Sequence, residues 1–231
     1  MIIKAIKTRI FKENENLVDF IVGYFKKISE KSVIVVTSKI VALSEGRTVV
    51  VKNKKIKEKI IKSESDFALK TKYVWLTLKD GMIMANAGID ESNANGKLIL
   101  LPRNSFKSAD IIRKILKKKY KIKNLGVLIT DSRTMPMRAG VTGVALGYAG
   151  FKALKDYRGR PDIFGRKFVF SRSNIADGLS ASAVLAMGEG SERFPLALIE
   201  GAPIEFTEKI SQKELLISRK DDMYKVVLPI K

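Results

Sequence analysis

Apolar positions along the chain fall into short β-branched or alternating runs separated by longer stretches of helical spacing. That alternation predicts an α/β (α+β) fold of mixed β-sheets with packed helices. Ile2 to Ile6 alternate as a strand, and Leu17, Phe20, Ile21, Tyr24, Phe25 and Ile28 then recur on one helix face, with Asn14 or Asn16 as cap. Val33 to Val36 is a buried strand, Arg47 to Val51 another, and the lysine-rich piece from Lys52 to Lys72 an exposed helix. Tyr73 to Leu78 reads as a strand holding the single tryptophan, Trp75, as a core residue. Strands follow at Lys97 to Leu101 and Leu125 to Ile129, on either side of an amphipathic helix, Ser105 to Tyr120, capped by Ser105 or Ser108. The last elements are a strand at Lys167 to Ser171, a small-residue helix from Ser173 to Met187 that stops at Gly188, and a strand at Pro195 to Ile199. The tail to Lys231 reads as a small hairpin, or a helix and strand.

One block departs from both periods. Thr130 to Arg166 holds six glycines and both signs of charge, and an Asp-Ser pair is followed at once by Arg133, Thr134, Pro136 and Arg138. The buried run before it delivers Asp131 and Ser132 at a strand end, where α/β proteins bind ligands. The other reading is a polar turn in which Asp131 caps and the arginines are solvated. Two further places carry candidate chemistry. Ser38 and Lys39 close the Val33 to Val36 strand, as a phosphate-holding pair or as an ordinary helix start. Asp90, Glu91, Ser92 and Asn93 sit together before the next strand, and oxygen ligands of that kind suit a hard cation, Mg2+ or Mn2+, or equally a polar turn.

Composition limits the chemistry further. With no cysteine and no histidine among 231 residues, thiolate sites, disulfides and the usual general base are excluded, so the work falls to carboxylates, hydroxyls, amides, Lys and Arg. The length allows one large domain or two small ones. No apolar run approaches bilayer length and no leader pattern opens the chain, which predicts a soluble, cytoplasmic protein without membrane contact. The net charge of +20 would suit nucleic acid, but the lysines are spread through nearly every segment without a nucleic-acid motif, so specific binding of that kind is not expected.

The blocks SKIVALSEGR, NAGIDESN, LLP, DSRTMPMRAGVTG, DYRGRPDIFGR, ADGLSASAVLAMGE and IEG occur in order from about Lys7 to Gly201. In this the chain resembles the CofE-like gamma-glutamyl ligases, which add L-glutamate to coenzyme F420-0 with GTP and metal ions, and within them the branch labelled folate-metabolism gamma-glutamate ligases. The resemblance implies a single unit over 1–231, with room for a small appendage at 205–231, and a homodimer. It places Asp90 and Asp131 at the family's metal-binding aspartates, Ser132 beside the second metal and Glu189 at a third ligand. It implies nucleotide contacts at Thr8, Arg9, Ile10 and Phe11, at Ser38 and Lys39, at Asn93, and at Gly188. Leu43 stands where the family has a lysine, the histidine usual before the GID block is absent, and the central block reads DSRTMPMRAGVTG in place of DTFGRPWRNGQTD. Arg133 and Arg138 remain as cations for anionic oxygens.

The expected reaction is a ligation in which GTP or ATP phosphorylates an acceptor carboxylate, F420-0 or a folate-like compound, and glutamate's amine displaces the phosphate. The alternative is a non-catalytic basic protein that keeps the fold and binds RNA or another polyanion.

Overall fold

A computed structural model of the chain describes residues 1–227. In chain order it runs β1 (Ile2–Ile6), α1 (Leu17–Tyr24), β2 (Ser32–Thr37), α2 (Ser38–Ser44), β3 (Thr48–Val49), α3 (Lys54–Ser63), β4 (Phe67–Lys70), β5 (Trp75–Lys79) and β6 (Met82–Ala85). The second half comprises β7 (Leu98–Ile99), α4 (Ser105–Tyr120), β8 (Leu125–Thr134), β9 (Val141–Ala149), β10 (Leu154–Asp156), β11 (Arg172–Asn174), α5 (Ile175–Met187) and β12 (Leu196–Glu200).

The principal sheet has the order β1-β12-β2-β8-β9, with β2 and β8 parallel and every other pair antiparallel. Its central strands are apolar on both faces because both faces are covered. Ile34, Val36, Val127 and Ile129 meet Phe20 and Ile21 of α1 and Ile112 and Leu116 of α4. Val33, Val35 and Leu128 meet Leu179 and Ala183 of α5 on the other side. The expected α/β fold of mixed sheets is therefore what forms, as three layers. Full burial of each such side chain is worth about 1.5–3 kcal/mol, which fixes the pairing of β2 with β8, and that pairing sets Thr37 against Thr130. A three-stranded antiparallel sheet, β4-β5-β6, joins the main core through Met84, and its half-buried Trp75 packs on a second apolar cluster around Ile61, Ala87, Ile89, Leu98 and Leu100.

Several elements differ from the periodicity. The first helix ends at Tyr24, so Phe25 and Ile28 are buried from a loop. The predicted helix over Lys52 to Lys72 stops at Ser63 and gives way to β4, since Phe67 to Lys70 finds a partner in β5. Asn104, not Ser105 or Ser108, caps α4 by accepting the Lys107 N–H at 2.9 Å. The strand beginning at Leu125 runs on to Thr134 because β9 pairs with it, so Asp131 and Ser132 lie within a strand and not at its end. Lys167 to Ser171 forms no strand, and β11 begins at Arg172. In the tail the only regular piece among the described residues is a 3-10 turn at Met223–Val226, while the end of the predicted tail, 228–231, lies outside them.

The segment after β12 is clasped to the body. Buried Arg113 donates from Nη1 and Nη2 to the Glu208 carboxylate at 2.8 and 2.6 Å and from Nε to the Leu125 carbonyl at 2.7 Å, and Lys117 adds a bond to Glu208 at 2.7 Å. These bonds to Arg113 and then Lys117 hold the Glu208 carboxyl down at about 2. A depressed carboxyl contributes stability above its unfolded value and loses it as pH falls through the folded one. Glu208→Gln is therefore expected to lower the thermal midpoint at pH 7, leaving Arg113 buried and unpaired, with the difference from the parent shrinking between about pH 5 and pH 2. Paired melting curves across that range measure it.

Candidate functional site

Because β2 and β8 are parallel and in register, β2 ends at Thr37 beside Thr130, while β8 runs on to Thr134. Thr37 passes directly into α2, bringing Ser38 and Lys39 beside Thr130, Asp131 and Ser132 of β8. A cleft of about 810 Å3 opens there. Its other walls come from the Thr8–Phe11 segment after β1, the loop around Asp90 and Asn93, and the Gly188–Pro195 loop that follows α5. All twelve residues that the sequence assigned to metal or nucleotide line this one cleft: Thr8, Arg9, Ile10, Phe11, Ser38, Lys39, Asp90, Asn93, Asp131, Ser132, Gly188 and Glu189.

The two arginines do not. Arg138 is exposed on the β8–β9 hairpin tip, outside the cleft, and Arg133, two residues beyond Asp131 on β8, is buried with Nη1 donating to the Ile83 carbonyl at 3.4 Å. Nε and Nη2 of Arg133 have no hydrogen-bond partner among the described residues. The guanidinium therefore sits under the site as a nearby positive charge.

Within the cleft, the Lys39 ammonium is the hub of one wall. It lies 2.8 Å from Asp90 Oδ2 and donates to the Ser92 carbonyl and hydroxyl at 2.9 and 3.1 Å, while Ser92 donates from its N–H to Asp90 Oδ1 at 2.6 Å and from its hydroxyl to Oδ2 at 3.0 Å. Burial pushes the Asp90 carboxyl up, but Lys39 and the Ser92 N–H overcome it, leaving the group below its ordinary range. Asp131 goes the other way. Its carboxyl is crowded by protein although the residue keeps some surface on the cleft, and burial raises it; the Arg133 charge and a bond from Ser38 only partly offset this, and the Asp90 charge adds to it. Opposite, the Ser132 hydroxyl donates to Glu189 at 2.9 Å, and the Asn93 amide donates to the Gly190 carbonyl at 3.1 Å, tying the two loops across the opening. Among the described residues no three acidic side chains are gathered closely enough to hold a metal ion as they stand.

Some lining residues were not singled out from the sequence. Glu192 accepts the Gly190 N–H at 2.8 Å, and Arg193, left-handed at φ 61°, accepts the Thr8 N–H on its carbonyl at 2.9 Å. Both lie in the loop after Glu189, and the signal available was the density of polar residues next to a helix stop.

Fold and cleft together define an α/β protein that offers carboxylates, a lysine and hydroxyls in one cleft where a parallel strand pair ends. Comparison with known proteins narrows this. The family model for F420-0:Gamma-glutamyl ligase matches residues 5–201. A coenzyme F420:L-glutamate ligase of Methanosarcina mazei is 30% identical over 84% of this chain and 83% of its own, and one of Archaeoglobus fulgidus is 28% identical over 93% and 92%. The enzyme of that name from Methanococcus maripaludis strain C7 is 40% identical over 64% of this chain, and the matched part spans 58% of its length. The chain belongs to the F420-0:Gamma-glutamyl ligase family. No helix among the described residues is long and apolar enough to cross a membrane.

Proposed function

We propose that the protein is a gamma-glutamyl ligase that uses GTP or ATP and divalent metal ions to join L-glutamate to an anionic acceptor carboxylate. The observation carrying this reading is the gathering of all twelve sequence-assigned residues, distant along the chain, on one cleft. The relatives' names supply the acceptor class, coenzyme F420.

Amide formation from a carboxylate and an amine is uphill in water, so the carboxylate has to be activated first. In the proposed sequence an acceptor carboxylate oxygen forms a bond to the γ-phosphorus as the bond to the β,γ-bridging oxygen breaks, and a nucleoside diphosphate leaves. The glutamate nitrogen then forms the C–N bond to the acyl carbon as the acyl–phosphate C–O bond breaks. Phosphate departs and the amine gives up a proton. With no histidine in the chain, the cleft carboxylates are the acceptors available for that proton. Lys39 supplies a mobile cation next to Asp90 for the phosphate chain. Arg9, held by an ion pair to Glu15, and exposed Ile10 form the wall by which a nucleotide's sugar and base would lie.

The donor set also fits a hard divalent cation in kind. It is made of oxygen alone, from Asp90, Asp131, Glu189 and Ser132, and the Asp131 carboxyl is raised by burial with too little positive charge beside it. Mg2+ or Mn2+ held there would neutralise triphosphate charge. A homodimer, as the resemblance implies, belongs to the same reading.

The test is to titrate nucleotide and RNA separately over a salt series, with and without chelator. Nucleotide binding is expected to survive moderate salt and to vanish with chelator, while RNA binding falls steeply with salt. Turnover is screened by mass spectrometry over candidate acceptors with glutamate. RNA binding that persists at high salt, with no metal-dependent nucleotide binding, would replace the ligase with the basic binding protein.

A further inference from the structure

The loop from Asp90 to Leu98 has a second side. Asp90, Ser92, Asn93 and Asn95 line the cleft described above, whereas Glu91, Gly96, Lys97 and Leu98 line another, of about 550 Å3. Six lysines face this second cleft: Lys52, Lys54 and Lys57 at the start of α3, Lys70 and Lys72 at and beyond the end of β4, and Lys97. Two carboxylates line it, and both are taken. Glu91 pairs with Lys57 at 2.7 Å and Glu58 with Lys70 at 3.1 Å, while Lys97 reaches out to Glu13 at 2.5 Å. Lys52, Lys54 and Lys72 are left without a carboxylate partner among the described residues.

Their position is costly for the fold alone. α3 has ten residues and no acidic residue in its first turn, and the side chain of its cap, Asn53, accepts the Ile56 N–H at 3.0 Å. Lysines gathered at the positive end of a helix are repelled by it, where an anion would be attracted. The aromatic rings nearby serve only one of these three lysines, Lys72. Trp75 already lies under Lys62 and Lys70 at 4.9 and 5.7 Å, and exposed Tyr73 carries Lys72 at 5.1 Å.

We propose that this second cleft binds a small, multiply charged anion, a linear chain of phosphates or carboxylates, through Lys52, Lys54, Lys72 and the start of α3. The volume lies within the range of small-molecule sites. No arginine lines the cleft, so selection is by spaced point charges and not by planar bidentate recognition. The site goes beyond the ligase reading and does not depend on it.

Trp75 is the only tryptophan in the chain and lines this cleft, so intrinsic fluorescence reports on it directly. Titrated at about 0.1 M salt without metal, tripolyphosphate or a tri-glutamate peptide is expected to give a saturable change. Affinity should weaken at least tenfold in Lys52→Glu/Lys54→Glu/Lys72→Glu, or in the corresponding Gln variant if the Glu variant loses its thermal midpoint. Whichever probe binds tighter identifies a phosphate or a carboxylate source. The proposal is overturned by absence of a saturable change together with absence of calorimetric heat for both probes, or by equal affinity in the lysine variants. It is equally overturned if a single-stranded RNA binds at least tenfold tighter and neither small anion displaces it.

Discussion

Asp131→Asn is expected to cut turnover by on the order of a hundredfold or more, about 2.7 kcal/mol in the barrier, while leaving the thermal midpoint unchanged or raised. The two halves of that expectation come from the same fact. Asp131 lies beside the carboxyl end of β2, its carboxyl raised by burial and incompletely served by Arg133 and Ser38. A carboxyl raised in the folded state favours folding while protonated and loses that contribution as pH rises through its folded value. The ionised form is therefore a burden on the fold, tolerated for what it binds, and an amide of the same shape removes the burden along with the charge. The midpoint difference in favour of the variant should grow from acid toward neutral pH. Activity, metal-dependent nucleotide binding and melting would be measured on one preparation. Full activity in the variant would sink the site, and loss of the folded state would make Asp131 a structural acceptor for Ser38.

The main sheet and its helices were legible because their residues obey simple periods. Val33 to Val36 and Leu125 to Ile129 are apolar at every position since both faces of their strands are covered, and the Ser105–Tyr120 helix has the bounds its amphipathic pattern predicts. What was not legible depended on partners far along the chain. Asp131 to Thr134 looks like a turn by composition and is strand only because Val141 to Val144 lies beside it; Phe67 to Lys70 looks like the end of a lysine-rich helix and is strand because Trp75 to Leu78 takes it. The cleft residues were found through several short blocks held in order, since each block alone is also a plausible turn. The placement of Arg133 and Arg138 failed for a related reason. Chain proximity to Asp131 says nothing of where a long side chain ends: Arg133 shares the strand face of Asp131, yet its guanidinium is buried against the Ile83 carbonyl, and Arg138 is carried out to solvent on the hairpin tip.

Gly143→Ala is expected to lower the thermal midpoint and to abolish nucleotide binding, though Gly143 does not line the cleft. Gly143 lies on β9 directly opposite Ser132, and the absence of a side chain lets α5 come down onto the sheet. A Cβ added there would run into the backbone carbonyl of Ser180 and meet Val184 Cγ2 at 2.7 Å. The helix backbone cannot give as a flexible side chain would, so α5 must shift as a body, at about 1–3 kcal/mol, or roughly 2–12 °C for a chain of this size. That shift carries Val184, Met187, Gly188 and Glu189 with it, which form the α5 side of the cleft, and it parts Glu189 from Ser132. Gly178→Ala, on the exposed face of the same helix with nothing within 4 Å of the new methyl, is the control. It should stabilise the protein by about 0.5–1 kcal/mol and leave nucleotide binding intact. If Gly143→Ala melts lower yet binds nucleotide as the parent does, the seating of α5 on β9 is structural alone and Glu189 does not contribute to the site.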